Sequence, residues 1–100
     1  MNNDYSQLQQ LLAGYFNQDW VDEFDSADDV ILSFIAESST ETFKTAHLEL
    51  KALLHANKTE QALQHFLFSD IGCGYYYPHD WKSGKLWLEH IDALLNQRGE

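Results

Sequence analysis

The sequence predicts an all-α protein: one compact domain spanning residues 1–100, built from about five short helices joined by short connections. Three observations predict it. Apolar residues recur at three- and four-residue spacing in successive stretches of the chain. Only Tyr75 to Tyr77 could pass for a strand, and three residues without a matching partner make a poor sheet. A single proline and five glycines leave no room for a low-complexity linker, and no internal repeat divides the chain.

Each helix is justified in turn. Tyr5, Leu8, Leu11, Leu12, Tyr15 and Phe16 form the first stripe, predicting a helix from about Asp4 to Phe16 that ends in the segment GYFNQDW, Gly14 to Trp20. Tyr15, Phe16 and Trp20 are expected to anchor that end in the core, with Gln18 and Asp19 fixing the turn through backbone bonds. Ala27, Val30, Ile31, Phe34 and Ile35 form the second stripe, capped by Ser26, with Asp28 and Asp29 in the first turn where the helix dipole favours negative charge. Ser38 and Glu41 have capping-box spacing ahead of Phe43, Ala46, His47, Leu50, Leu53 and Leu54. Asn57 and Thr59 can cap a short fourth helix over Ala62, Leu63, Phe66 and Leu67, which ends before two glycines. Asp70 to Asp80 reads as an ordered loop. Ser83 then precedes the last stripe, Trp87, Leu88, Ile91, Leu94 and Leu95, ending at Gln97 or Arg98, with a frayed tail beyond Asn96.

A chain of 100 residues buries roughly 60 to 65 % of its unfolded surface, enough for one core without staples. The amino terminus has neither the basic region nor the apolar core of a signal peptide, and no apolar run is long enough to cross a membrane. One cysteine excludes an internal disulfide, and both facts predict a cytoplasmic protein. A net charge of −10 argues against direct binding of nucleic acid or of a membrane surface and in favour of a basic partner. The acidity is local: Met1 to Phe43 holds nine carboxylates and no lysine or arginine, whereas Lys44 to Glu100 is nearly balanced.

The catalytic and metal chemistries tested are weak. Cys73 with His65 or His79 lacks an orienting group and reads as a half-buried thiol. The five histidines include no pair at i, i+4 spacing, and the acids between Asp19 and Asp29 lack the central glycine of a calcium loop. No cofactor, metal or catalytic residue is predicted. Six acids in eleven positions, Asp19 to Asp29, nevertheless carry self-repulsion that a mere connector has no reason to bear. A face of fixed carboxylates flanked by aromatics suits the basic cleft of a nuclease. The candidate partner-binding residues are therefore Asp22, Glu23, Asp25, Asp28 and Asp29. Tyr75, Tyr76 and Tyr77 join them, since three phenols on one short segment cannot all point inward.

Gly14 to Trp20 (GYFNQDW), the segment SADDVILSFI, the helix HLELKALL, and the late DIGCGYYYP and WLEHI together resemble the CdiI-type immunity proteins of bacterial contact-dependent growth inhibition systems. The resemblance extends over nearly the whole chain. Family members commonly read YFHQDW; here Asn17 stands at the histidine position, so no role of that imidazole carries over. The resemblance implies a small cytoplasmic helical protein, monomeric when free and without catalysis, that neutralises its cognate toxin C-terminal domain. That domain is expected to be basic and a nuclease. Two other classes compete with this reading: a general acidic protein-interaction or regulatory module without a toxin target, and, ranked last, an enzyme.

Overall fold

Leu8 is the residue on which the first helix turns inward, and its amide is held from another helix. In the computed structural model, which describes residues 5–56 and 58–98, α1 (Ser6–Gln9) has no side-chain cap of its own. Instead Glu49 accepts a hydrogen bond from the Leu8 amide at 2.8 Å, satisfying one orphan donor of the first turn. The expected start at Asp4 and the expected cap at Asn57 lie outside the described residues.

α1 runs directly into a π-helical stretch, Gln10–Tyr15, rather than continuing as one α-helix to Phe16. The Phe16 amide reaches back five residues to the Leu11 carbonyl at 3.3 Å. Phe16 is fully buried, whereas Tyr15 lies half-buried beside α3. The acidic segment contains a helical turn, α2 (Trp20–Glu23), that the apolar spacing did not predict, so the described residues hold six α-helices where about five were expected. α3 (Ala27–Glu37) begins where predicted, with Ser26 Oγ accepting from the Asp29 amide at 3.2 Å. α4 (Thr40–His55) is capped by Ser39, not Ser38: its hydroxyl accepts from the Thr42 amide at 3.1 Å.

α5 (Glu60–His65) is capped by Thr59 and widens into a second π-helical stretch, Phe66–Ile71. Gly72, at φ 84°, ends it in the left-handed region that favours glycine. A single 3₁₀ turn, Tyr77–His79, follows, and then α6 (Gly84–Arg98), at whose start Ser83 Oγ accepts from the Leu86 amide at 3.1 Å. The helix continues through Asn96 and Gln97, which were expected to fray.

α6 packs against α3, α4 and α5, and α1 lies on α4. Trp87, Leu88, Ile91 and Leu95 give α6 a buried face, met by Leu8, Leu11, Leu12, Val30, Phe34, Ala46, Leu50 and Leu67 from the other elements. No strand occurs among the described residues, so the fold is all-α as predicted. None of the described helices is long and apolar enough to cross a membrane.

Candidate functional site

The segment Gly14 to Trp20 and the loop after Gly72 form one packed unit. Phe16 stacks on Tyr75 with ring centroids 5.6 Å apart and meets Trp20 and Trp87 edge-on at 5.3 and 5.7 Å. Trp20 donates its indole N–H to the Gly74 carbonyl at 3.3 Å. The two backbones touch: a Cβ at Gly74 would sit 2.0 Å from the Phe16 carbonyl oxygen. The turn is fixed by Asn17, whose Oδ1 accepts from the Asp19 amide at 2.9 Å and whose Nδ2 donates to the Gly14 carbonyl at 3.1 Å. This corrects the expectation that Gln18 and Asp19 hold it; both side chains are exposed.

The three tyrosines diverge. Tyr75 is buried among Phe16, Trp20 and Trp87 and donates its hydroxyl to Asp80 at 2.6 Å. Tyr77 is buried against Trp87 and Phe68 and donates to Glu60 at 2.9 Å. Burial and the acceptor carboxylate push both phenols well above their ordinary range. Tyr76 points the other way and is 56 % exposed, its ring stacked on Phe68 and edge-on to His79. Tyr76 is therefore the one of the three whose ring is available to a partner.

The acids also divide. Asp28 is half-buried and contacts His90 Nε2 at 2.9 Å, and the His90 ring lies 5.0 Å from Trp81. Its charge is felt at the Tyr75 phenol, so Asp28 belongs to the junction between α3, α6 and the tyrosine loop. Asp22 lies exposed on α2. Glu23, Asp25 and Asp29 instead line a shallow, open groove together with Phe24, Leu32, Ser33 and Ala36. The ion pairs of the described residues are His47 and Lys51 with Asp92, and His90 with Asp28; Asp22, Glu23, Asp25 and Asp29 take part in none of them.

Sequence reasoning missed the groove. Its signal was present: Asp29, Leu32, Ser33 and Ala36 stand at i, i+3, i+4 and i+7, a second stripe on α3 beside the buried one of Val30, Ile31 and Phe34. Leu32 is 46 % exposed there.

The remaining candidates serve packing. Cys73 is buried and its thiol is pushed up to about 11 by burial, which keeps it protonated rather than an activated thiolate. His65 and His79 are both exposed. Among the described residues no three histidine, cysteine or carboxylate side chains are grouped so as to hold a metal ion.

Residues 4–95 match the family model described as CdiI immunity protein. A chain in the crystal structure of a CdiA-CT/CdiI complex from Y. kristensenii 33638 superposes with a TM-score of 0.88 at 34 % sequence identity, covering 92 % of this chain and 98 % of that one. No curated protein sequence matches.

Proposed function

The chain belongs to the CdiI immunity protein family, and from that membership we propose that it binds and neutralises a cognate CdiA-CT toxin domain by occupying its surface, without catalysis. The observation that carries this reading is the superposition, over nearly the full length of both chains, on a member of a toxin–immunity complex. The protein acts in the cytoplasm as a free monomer that captures a basic toxin domain, in keeping with a nuclease.

The contact surface is the acidic face of α2 and α3, where Asp22, Glu23, Asp25 and Asp29 take part in no ion pair among the described residues and Asp28 is bridged to His90. From the tyrosine loop Tyr76 contributes its exposed ring, while Tyr75 and Tyr77 hold that loop from beneath. Unpaired carboxylates facing solvent favour a cationic partner by charge complementarity, an effect expressed mainly in the association rate.

The test is a binding and protection assay with the cognate CdiA-CT domain, and a toxin gene immediately upstream would favour this reading over a general interaction module. The toxin domain and this chain should co-purify, and expression of this chain should rescue growth of cells making the toxin. Replacing Asp22, Glu23 and Asp25 by their amides should lower an on-rate of about 10⁸ M⁻¹s⁻¹ toward roughly 10⁶ M⁻¹s⁻¹ at low salt and flatten its salt dependence, with the melting temperature unchanged or raised. Absence of any complex with the wild-type chain sinks the reading.

A further inference from the structure

We propose that the groove between the end of α2 and the outer face of α3 is the anchor of the toxin interface, and that its occupant is an arginine side chain of the toxin domain. This rests on the immunity reading and adds to it the residue that sets the lifetime of the complex. Its lining mixes the apolar Phe24, Leu32 and Ala36, with Leu32 46 % exposed, and the carboxylates of Glu23, Asp25 and Asp29. Residues 1–43 hold no lysine or arginine.

The two chemistries side by side select the occupant. An apolar side chain would cover the apolar part of the lining but strip water from the neighbouring carboxylates without giving them a partner, a costly arrangement. A lysine would offer a single, strongly hydrated charge. An arginine lays its methylene stem along apolar surface while its planar guanidinium, less strongly hydrated and with five donors, engages a carboxylate through two hydrogen bonds.

Leu48 supplies the internal comparison. It is still more exposed, at 68 %, but lies on α4 with Lys44 and Lys51 one helical turn away on either side. Leu32 and Leu48 therefore differ in surroundings, not in side chain.

The experiment measures binding of the cognate CdiA-CT domain to four forms of the full chain: wild type, Leu32→Ser, Leu48→Ser and Ala36→Arg. All three substitutions fall on exposed positions, and melting temperatures verify folding. Leu32→Ser should raise the off-rate by about tenfold or more with little change in on-rate, while Leu48→Ser changes neither. Ala36→Arg, which fills the groove with the chain's own guanidinium, should weaken affinity by about a hundredfold at an equal or higher melting temperature. Alanine scanning of toxin arginines should then find one whose loss no longer matters once Leu32 is serine. An unchanged off-rate for Leu32→Ser overturns the anchor while the immunity reading stands. Coupling of Leu32 to an apolar toxin residue, or to a lysine, overturns the arginine. A wild-type chain that does not bind overturns both.

Discussion

Gly74 has no room for a side chain, because the carbonyl it faces belongs to the backbone of Phe16 and cannot swing aside. Gly74→Ala is expected to destabilise by about 3 kcal/mol or more, since relief requires the two segments to separate and the Trp20 bond to Gly74 to stretch. Gly72→Ala meets open space and costs only the left-handed backbone, about 1 to 2 kcal/mol. Urea denaturation of the two variants measures the difference, and equal losses would contradict the close approach. The aromatic weight of GYFNQDW was legible in the sequence. Which polar side chain closes its turn was not, because that depends on the local dihedrals, and Asn17 took the part assigned to Gln18 and Asp19. Likewise three consecutive tyrosines required that one face outward. That it is Tyr76 follows from rings distant in sequence: Trp87 accepts both Tyr75 and Tyr77 on its surface.

Helix ends divide into those announced by local sequence and those made by tertiary contacts. Ser26, Ser39 and Thr59 each accept an amide three residues on, so Ser39→Ala should lower stability by about 1 kcal/mol and Ser39→Asp should retain most of it. A loss near zero for Ser39→Ala would show that the cap is not used in solution. The spacing of hydroxyls and carboxylates showed that a helix begins near here, and the cap lies one residue from the expected Ser38, within the ordinary blur of helix boundaries. The two π-helical stretches were not legible, because no residue type marks a reach of five residues. The end of α1 is tied to the end of the second stretch, Gln9 donating its side-chain amide to the Ile71 carbonyl at 3.2 Å. The cap that Glu49 supplies to α1 is equally a property of the packed molecule.

At the scale of the whole molecule, two phenol–carboxylate bonds pin separate regions together, Tyr15 to Glu37 and Tyr77 to Glu60, while a third, Tyr75 to Asp80, closes the tyrosine loop on itself. Glu60 also accepts the Gly84 amide through both oxygens, joining α5 to the start of α6. The hydrogen bond to Glu37, then burial, pushes Tyr15 up to about 12, and the two buried tyrosines move in the same direction. A phenol whose folded pKa exceeds its unfolded value near 10 contributes stability that is fully present below pH 10 and is lost as pH rises through the folded value. The ionisation of Tyr15, Tyr75 and Tyr77, followed by phenolate absorbance in variants that keep one of them at a time, should therefore come above pH 10 and together with loss of helicity. Ionisation of these three near pH 10 with retained helicity would contradict this. The one-sided acidity was plain in the sequence, but its division was not: pairing Asp28 with His90 brings together residues 62 apart, and that distance hides it from any local pattern.

α3 carries two stripes that share no residue: Val30, Ile31 and Phe34 turned to the core, and Asp29, Leu32, Ser33 and Ala36 turned to the groove. Substitutions on the outward stripe therefore touch little of what keeps the chain folded. With the groove as the proposed toxin contact, its lining is open to change while the scaffold beneath stays as it is, each change there screened for recognition rather than for the ability to fold.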